Sequence, residues 1–214
     1  MNKEQILQLI EAAILDGKDT INITEVPFKE ALEMCEEPEE VNNKETKEDK
    51  KYEFTGETVA HYGRTLHRIR RIEDGLVGGF IEKEDNLSHE GDCFVFGNAR
   101  VFGRAWVGWD AKVSGNAKVF GDAQVYGNAE VSGNAEVCDN AEVLENAKVY
   151  GNAWVCSSAG VFGNARVYGN AGIHGNVWVH GKAQVYGRAE VYGDATVRGE
   201  AAISEGIIPS GIHR

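Results

Sequence analysis

Residues 96–131 read FGNARV FGRAWV GWDAKV SGNAKV FGDAQV YGNAEV, and the same six-residue pattern continues to Ile203. The pattern makes eighteen consecutive hexapeptides, each ending in Val or Ile, with Ala two positions earlier everywhere except at Val177. Because residues two apart on a strand point to the same side, each hexapeptide is predicted to hold a short strand whose Ala and Val face inward. The remaining pair, usually Gly-Asn, predicts a corner, since both residue types tolerate positive φ.

The stacking of these strands predicts the fold class. Three hexapeptides close one coil of 18 residues. The repeat therefore predicts an all-β chain wound as a single-stranded, left-handed, parallel β-helix with three sides and about six coils. Each position then lies above itself every 18 residues, so hydrogen-bonded amides are expected along one corner. This ladder would consist of Asn98, Asn116, Asn134, Asn152 and Asn170, and Arg188 would end it.

The chain before the repeats is predicted to begin with a small helical arm over residues 1–35. Apolar residues recur there at helical spacing and form two stripes. The stripes suggest a docking surface for a partner, with Ile6 and Ile10 on the first helix and Phe28 and Leu32 on the second.

The other boundaries follow from composition and from the exposed backbone at the two ends of a solenoid. Residues 36–51 hold 11 charged residues among 16 and predict an acidic disordered linker. The expected order after the linker is an N-terminal cap over 52–95, the β-helix over 96–204 and a C-terminal cap over 205–214.

The charge of the chain is concentrated at one end. The net charge is −12, and residues 1–60 carry 16 Asp/Glu, seven Lys and no Arg. A segment of this kind does not suit phosphate groups, so direct nucleic-acid binding is not expected, whereas a basic host protein surface is a plausible partner. No apolar run is long enough to span a bilayer and no basic, apolar leader is present, so a cytoplasmic protein without a membrane partner is expected.

A resemblance to a known family rests on the residues just before the repeats. Residues 64–103 read RTLHRIRRIEDGLVGGFIEKEDNLSHEGDCFVFGNARVFG and lead into GNAxVx repeats. This combination resembles the YdcK-like β-solenoid proteins of bacteria and phages over about residues 52–204, and the block from Gly78 to Cys93 is its most specific part. The segment between Arg71 and Gly78 is shorter than in the family's pattern. The resemblance implies a left-handed β-helix and no defined activity.

The cysteines do not indicate a metal centre. Cys35, Cys93, Cys138 and Cys156 are too few for a disulfide scaffold and are expected to be reduced thiols. Cys138, Cys156 and His174 recur at 18-residue intervals on one side, which suggests a zinc site. The first and last of these would lie ~9.6 Å apart at the backbone, which is too far for convergent ligands. No metal and no cofactor are therefore expected.

Aromatic side chains fill many outward positions. One side has an apolar series that contains no basic residue from Tyr126 to Trp178, and a row of tyrosines stacks on the neighbouring side. Large exposed apolar surfaces usually mark interfaces, so this region is predicted to be a contact surface. The predicted contact residues are Tyr126, Leu144, Phe162 and Trp178 on the apolar side, with Tyr150, Tyr168 and Tyr186 on the flank.

These features favour a non-enzymatic interaction scaffold that self-associates as a trimer or dimer and binds a partner protein. Three alternatives stay open. An acyl-CoA-dependent hexapeptide acyltransferase has a related fold. In such enzymes glycine directly follows the aliphatic residue, whereas here it comes two residues later. Their sites also use loops inserted between the coils, whereas no insertion interrupts the repeats of this chain. A phage-encoded inhibitor of a host defence system would act through the acidic arm, and a glycan-binding protein would use the aromatic rows.

Overall fold

The structure, a computed structural model, describes residues 50–214. Three β-sheets lie along the coils, and the chain passes from one sheet to the next in a fixed cycle. We call them the first, second and third sheets, and their outer sides the first, second and third faces. Because of the cycle, strands three apart in the chain are neighbours in a sheet and pair parallel.

The first sheet has ten strands, the second has seven and the third has seven. In sheet order, the first contains β1 (Tyr52–His61), β2 (Arg64–Arg71), β3 (Val77–Ile81), β5 (Arg100–Val101), β8 (Lys118–Val119), β11 (Glu136–Val137), β14 (Trp154–Val155), β17 (Gly172–Ile173), β20 (Glu190–Val191) and β23 (Ile207–Ile208). The second contains β4 (Phe94–Val95), β7 (Lys112–Val113), β10 (Glu130–Val131), β13 (Lys148–Val149), β16 (Arg166–Val167), β19 (Gln184–Val185) and β22 (Ala202–Ile203). The third contains β6 (Trp106–Val107), β9 (Gln124–Val125), β12 (Glu142–Val143), β15 (Gly160–Val161), β18 (Trp178–Val179), β21 (Thr196–Val197) and β24 (Ile212–His213). Between residues 50 and 214 the helical structure is limited to one 3-10 turn, Glu84–Asn86.

The core is the column of inward Ala, Val and Ile side chains. From Ala99 to Val197 each of them is at most 1 % exposed, including Val177, which replaces Ala. The predicted inward orientation is therefore confirmed. Fully burying one Val stabilises the folded chain by about 1.5 kcal/mol or more, so the column is the main favourable term of the fold.

Backbone hydrogen bonds hold the coils to one another. The N–H of Arg100 donates to the carbonyl of Ala117 at 2.9 Å, and the N–H of Phe102 donates to that of Val119 at 3.1 Å. The same pattern repeats along the stack and sets Val101 opposite Val119 in parallel register. Each coil is thus bonded mainly to the coils directly before and after it, as expected for a solenoid.

The corners turn at residues with positive φ. Glycine holds most of these positions, but Trp109, Asp139, Glu145 and Ser157 hold four of them, with φ between 53° and 63°. Such values strain an L side chain. Two of the four offset this cost with a hydrogen bond, because Asp139 accepts the N–H of Ser157 at 3.1 Å and Glu145 accepts the N–H of Gly163 at 2.8 Å.

A β-hairpin closes the N-terminal end of the core. Strands β1 and β2 pair antiparallel through a turn at Tyr62 and Gly63, which both have positive φ. Strand β2 also pairs antiparallel with β3, so the hairpin extends the first sheet beyond the first coil. Tyr52 packs in the core cluster with 1 % exposure, and its hydroxyl donates to the carbonyl of Leu87 at 2.8 Å.

The block before the repeats winds as a coil of its own. Its buried residues Ile81, Leu87 and Val95 each pair with the corresponding Val of the next coil, one on each sheet. Buried Asn86 links this coil to the next one, because its side-chain amide donates to the carbonyl of Ala105 at 2.8 Å, and it also accepts the N–H of Lys83 at 3.0 Å within its own coil.

The C-terminal residues 205–214 also continue the solenoid. Strands β23 and β24 pair parallel with β20 and β21 in the first and third sheets. Together with the first coil, they bring the number of turns to about seven, against the six counted from the hexapeptides alone.

Along the corner between the second and first sheets, the predicted asparagine ladder is present from Asn116 to Asn170. The side-chain amide of Asn116 donates to Asn134 at 3.1 Å, that of Asn134 to Asn152 at 3.0 Å, and that of Asn152 to Asn170 at 3.0 Å. These bonds run along the stack, in the same direction as the backbone bonds, and they confirm the 18-residue register at the level of side chains.

The prediction of an all-β, three-sided parallel β-helix is confirmed, while its left-handed winding stays a prediction. The predicted arm, residues 1–35, and most of the linker, residues 36–51, lie outside the described residues. Within the part of the chain that the structure describes, no helix has the length and apolar character needed to cross a membrane.

Candidate functional site: the apolar third face

The third face presents an apolar series along four successive coils. Tyr126, Leu144 and Phe162 follow the inward Val of β9, β12 and β15 and are half-buried, while Trp178 in β18 is 55 % exposed. The indole of Trp178 meets the ring of Phe162 edge to face at 5.6 Å between centroids. The structure therefore places these four predicted residues on one face.

A groove opens in this face at Gly160. In the sheet, Glu142 and Trp178 pair with Gly160 from the two neighbouring coils, so the absent side chain leaves a gap between them. The groove has a volume of about 580 Å³. Its lining consists of Asn140, Glu142, Leu144, Glu145, Ser158, Ala159, Gly160, Phe162 and Trp178.

A cluster of three aromatic rings projects from the same face nearer the N-terminal end. We call Trp106, Trp109 and Tyr126 the tryptophan knob. The indole of Trp109 lies 5.7 Å from that of Trp106 and 5.1 Å from the ring of Tyr126, and Trp109 is still 57 % exposed. Gly108 makes room for the cluster, because a Cβ built there would lie 2.2 Å from the indole of Trp106.

The electrostatics of the third face are acidic. Glu142 and Glu145 line the groove, and the outward positions from Gln124 to Trp178 carry no Lys or Arg. Partial burial raises the pKa of Tyr126 above its ordinary value, and the negative charges of the two glutamates raise it further. The hydroxyl of Tyr126 thus stays protonated in neutral solution and can act as a hydrogen-bond donor.

The tyrosine row lies on the second face, as predicted, but its rings cover one another. The centroids of Tyr150 and Tyr168 are 4.9 Å apart and those of Tyr168 and Tyr186 are 5.0 Å apart, with planes within 7° of parallel. The hydroxyl of Tyr168 donates to Gln184 at 3.1 Å. Burial within the stack raises the pKa of Tyr168. Because ring faces contact ring faces, this row has the geometry of cross-strand packing rather than of a flat binding platform.

The first face carries a disulfide, which the sequence did not predict. Cys138 and Cys156 occupy the same position in neighbouring coils, 4.7 Å apart at Cα, and are bonded to each other. The expectation of reduced thiols was therefore wrong for this pair, because in-register stacking brings the two sulfurs together. Cys93 is a free, buried thiol, and burial raises its pKa.

Among residues 50–214, the side chains that come close enough together to hold a metal ion lie at this disulfide. Atoms of Cys138, Asp139 and Cys156 lie within 4.8 Å of one another. His174 does not join them, because its ring stacks between Trp154 at 5.1 Å and Tyr192 at 5.3 Å. With the two sulfurs bonded to each other, neither is available as a thiolate ligand.

The hairpin covers part of the first face. Phe102 follows the inward Val101 and so takes an outward position, but it packs with Leu66 and Phe80 and is only 4 % exposed. Beside it, His61 accepts a hydrogen bond from Arg100 through Nδ1 at 3.0 Å. Burial, together with the positive charge of Arg100, lowers the pKa of His61.

A second, more polar depression of about 500 Å³ lies next to the hairpin, near Phe102 and Phe120. Its charges are already matched, because Arg64 pairs with Glu82 at 2.8 Å and Arg104 pairs with Asp122. Burial acts to raise the pKa of Glu82, but the N–H of Gly103 and the guanidinium of Arg64 outweigh it and hold the pKa below its ordinary value. The depression is therefore an ion-paired surface rather than an open anion or cation site.

The predicted site residues thus fall into three groups. Leu144, Phe162 and Trp178 meet in one groove, Tyr126 belongs to the knob on the same face, and the three tyrosines form a separate ladder. The arm residues Ile6, Ile10, Phe28 and Leu32 lie outside the described residues. Sequence reasoning missed Trp109, although its signal was present, because GWD replaces the usual corner glycine by tryptophan.

The fold and the repeat define this chain as a three-sided parallel β-solenoid built from hexapeptides. The family model of the YdcK β-solenoid repeat matches residues 123–139, 159–181 and 183–199. These stretches are thus similar to the repeat of the YdcK β-solenoid family, in agreement with the resemblance seen in residues 64–103. No curated protein matches the chain.

Proposed function

We propose that the chain is a non-enzymatic scaffold that self-associates through its third face and presents its other surfaces to a partner protein. The observation that carries the proposal is the series from Trp109 to Trp178, an apolar surface that no described part of the chain covers. Large surfaces of this kind usually mark interfaces. The even six-residue spacing of strands from β5 to β22 adds support, because it builds flat sides suited to packing.

The size of the effect can be estimated from the exposed aromatic rings. Trp109 and Trp178 are each more than half exposed, so each would remove on the order of 100 Å² from water in a dry interface. With the neighbouring Tyr, Leu and Phe side chains, two copies together would bury several hundred Å² of apolar area. At about 25 cal/mol per Å² this gives on the order of 10–20 kcal/mol, against about 4–15 kcal/mol for the cost of association. We therefore expect a reversible oligomer of moderate affinity.

The test is the oligomeric mass of the wild-type chain and of Phe162→Glu over a concentration series, by light scattering behind a sizing column. Wild type is expected to show a multiple of the chain's mass at high concentration. The glutamate would bury an unpaired charge in the interface, so the variant is expected to be a folded monomer with association at least 100-fold weaker.

The matched control is Ser132→Glu, which places the same charge in the equivalent position of the second face. It is expected to associate like wild type. A wild type that stays monomeric at every concentration, or a Phe162→Glu chain that keeps the oligomeric mass, would contradict the proposal. Circular dichroism of all three proteins confirms that the coils are intact.

A further inference from the structure

The disulfide on the first face marks two coils whose corners depart from the repeat. Cys138 is followed by Asp139 and Cys156 by Ser157, and these two corner residues have positive φ, at 58° and 63°. In the other hexapeptides of the first sheet the equivalent residue is glycine, at Gly103, Gly121, Gly175 and Gly193. Positive φ strains an L side chain. The two cysteine coils therefore carry oxygen-bearing side chains at a cost in backbone strain, although a disulfide needs only the two sulfurs.

Three potential ligand atoms converge at this corner. The sulfurs of Cys138 and Cys156 and a carboxylate oxygen of Asp139 all lie within 4.8 Å of one another. The two cysteines are 4.7 Å apart at Cα, because they occupy the same position in neighbouring coils. Two thiolates on one tetrahedral Zn²⁺, each at ~2.3 Å, lie about 3.8 Å apart. Side chains on adjacent strands of a sheet can reach that separation by turning about χ1, so the backbone need not move.

Asp139 is held in the orientation that a metal ligand requires. The backbone N–H of Ser157 donates to its Oδ2 at 3.1 Å, which turns the carboxylate towards the coil of Cys156 and leaves Oδ1 as a ligand atom. Carboxylate ligands are commonly oriented in this way by a hydrogen bond from outside the metal site. Asp139 is exposed whereas Cys138 is 7 % exposed, so a cation would enter from the solvent past Asp139.

The charges around the corner favour a cation. Residues 136–147 and 149–165 contain no Lys or Arg, so the cysteines have no close basic neighbour along the chain. Lys118, on the adjacent strand of the first sheet, is paired with Glu136 at 2.8 Å. Two sulfur ligands with one carboxylate suit Zn²⁺, whereas Ca²⁺ and Mg²⁺ take oxygen ligands.

We infer that reduction of the Cys138–Cys156 bond opens a zinc site, in which the two thiolates and the carboxylate of Asp139 bind one Zn²⁺. The ring of His174 is held in its stack with Trp154 and Tyr192, so water takes the fourth position. The site lies on the first face and does not depend on self-association through the third.

The redox step conserves atoms and electrons. A dithiol supplies two electrons and two protons, the S–S bond breaks to give two cysteine thiols, and the dithiol is oxidised to a disulfide. Zn²⁺ then displaces the two thiol protons to solvent and is itself neither oxidised nor reduced. The same two coils thus have two alternative links, a covalent bond when oxidised and a metal bridge when reduced.

Co²⁺ is the probe for the site, because it occupies zinc sites and is coloured. The full chain is reduced with a phosphine, which introduces no competing thiol, and is titrated with Co²⁺. We expect one Co²⁺ per chain, with the near-ultraviolet charge-transfer band of thiolate ligands and the visible bands of tetrahedral cobalt, and displacement by Zn²⁺. The oxidised chain is expected to show neither set of bands.

Two variants assign the ligands. Cys156→Ser retains Cys35 and Cys93 and is expected to lose the charge-transfer band, which separates this site from the other thiols of the chain. Asp139→Asn keeps an oxygen for the N–H of Ser157 but removes the carboxylate charge, so Co²⁺ binding by the reduced chain should weaken at least tenfold. Circular dichroism of each variant checks that the coils are intact.

Glu145→Gln is the matched control for Asp139→Asn. Glu145 also has positive φ and accepts the N–H of a residue in the next coil, Gly163, but it follows a strand of the third sheet. The reduced Glu145→Gln chain is expected to bind Co²⁺ like wild type.

Thermal unfolding gives a second readout, because a metal that binds only the folded chain stabilises it by mass action. With free Zn²⁺ at about a hundred times the dissociation constant, the Tm of the reduced chain should rise by roughly 5–11 °C. The oxidised chain should not respond.

The site would be overturned by a reduced wild type that binds no Co²⁺, by equal binding in the oxidised and reduced chains, or by a Cys156→Ser chain that keeps the charge-transfer band. An Asp139→Asn chain that binds like wild type would overturn the carboxylate ligand.

Discussion

Glycine has two separate uses in this solenoid. At the corners it supplies positive φ, as at Gly115 with φ 72°. On the faces it makes room for large rings, since a Cβ on Gly172 would lie 2.6 Å from the indole of Trp154. Gly160 differs from both, because its φ is not positive and no ring fills its space. The groove of the third face is centred on this missing side chain.

The Cys138–Cys156 bond supports a prediction about stability. It joins neighbouring coils and closes a loop of 18 residues. In the chain-entropy treatment a loop of this size stabilises the folded state by about 3 kcal/mol. For a domain of 150–250 residues that amounts to roughly 6–12 °C in Tm, so reduction is expected to lower the Tm of wild type by this amount. Thermal unfolding with and without a phosphine reductant measures the shift.

Cys138→Ser is the control for this prediction. Its Tm should resemble that of the reduced wild type and should not respond to reductant. The prediction would fail if reductant left the Tm of wild type unchanged and thiol titration of the untreated protein showed free thiols at Cys138 and Cys156. The stacked cysteines would then not be bonded.

The placement of the site residues could be predicted from the repeat. The period of 18 fixes which positions share a face, so Tyr126, Leu144 and Phe162 were correctly assigned to one side. What the period cannot show is which neighbours cover a side chain. Phe102 occupies an outward position, but the hairpin places Leu66 over it, and the path of the hairpin is not encoded in the repeat.

At the level of elements, the coil of 18 residues is the unit that can be removed. Deletion of residues 175–192 takes out one coil, keeps Cys138 and Cys156 paired, and returns β21 to the third sheet. Deletion of residues 175–180 removes a third of a coil and moves every later strand to a different sheet. We expect the first variant to melt close to wild type and the second to melt clearly lower, by circular dichroism.

The two deletions are expected to differ because the inward Ala and Val can pack in any of the three sheets. The outward rows and the last strands, in contrast, find their partners in one sheet only. After the shorter deletion, β23 and β24 meet other partners at spacings that no longer match. Equal losses of Tm in the two variants would argue against the three-sided register.

Strands inside the repeats were predictable because every hexapeptide has the same inward pattern. The first coil was harder to predict, since Ile81 and Leu87 are six residues apart but Leu87 and Val95 are eight apart. The 3-10 turn Glu84–Asn86 and the bonds of Asn86 take up the added length. The final strands escaped prediction for the same reason, because their spacing is shorter than six.

For the whole molecule, the three faces have different chemistry. The first carries the hairpin and the disulfide, the second carries the tyrosine ladder and the ion pair of Lys148 with Glu130 at 2.9 Å, and the third carries the knob and the groove. A dimer built on the third face leaves the other two faces accessible. A partner protein would then meet two copies of each face at a fixed separation, which raises its effective affinity through bivalency.

The direction of the interstrand hydrogen bonds also decides how the protein responds to force. Because these bonds lie along the stack, tension between residue 50 and the C-terminus loads them one coil at a time, as in a zipper. Each released coil frees 18 residues, or ~6 nm of extended chain, so single-molecule pulling is expected to show low, evenly spaced steps of about this length. The intact Cys138–Cys156 bond hides one such length, and reduction should restore it. A single high rupture peak for all coils together would contradict this coil-by-coil behaviour and show that the stack resists load as one body.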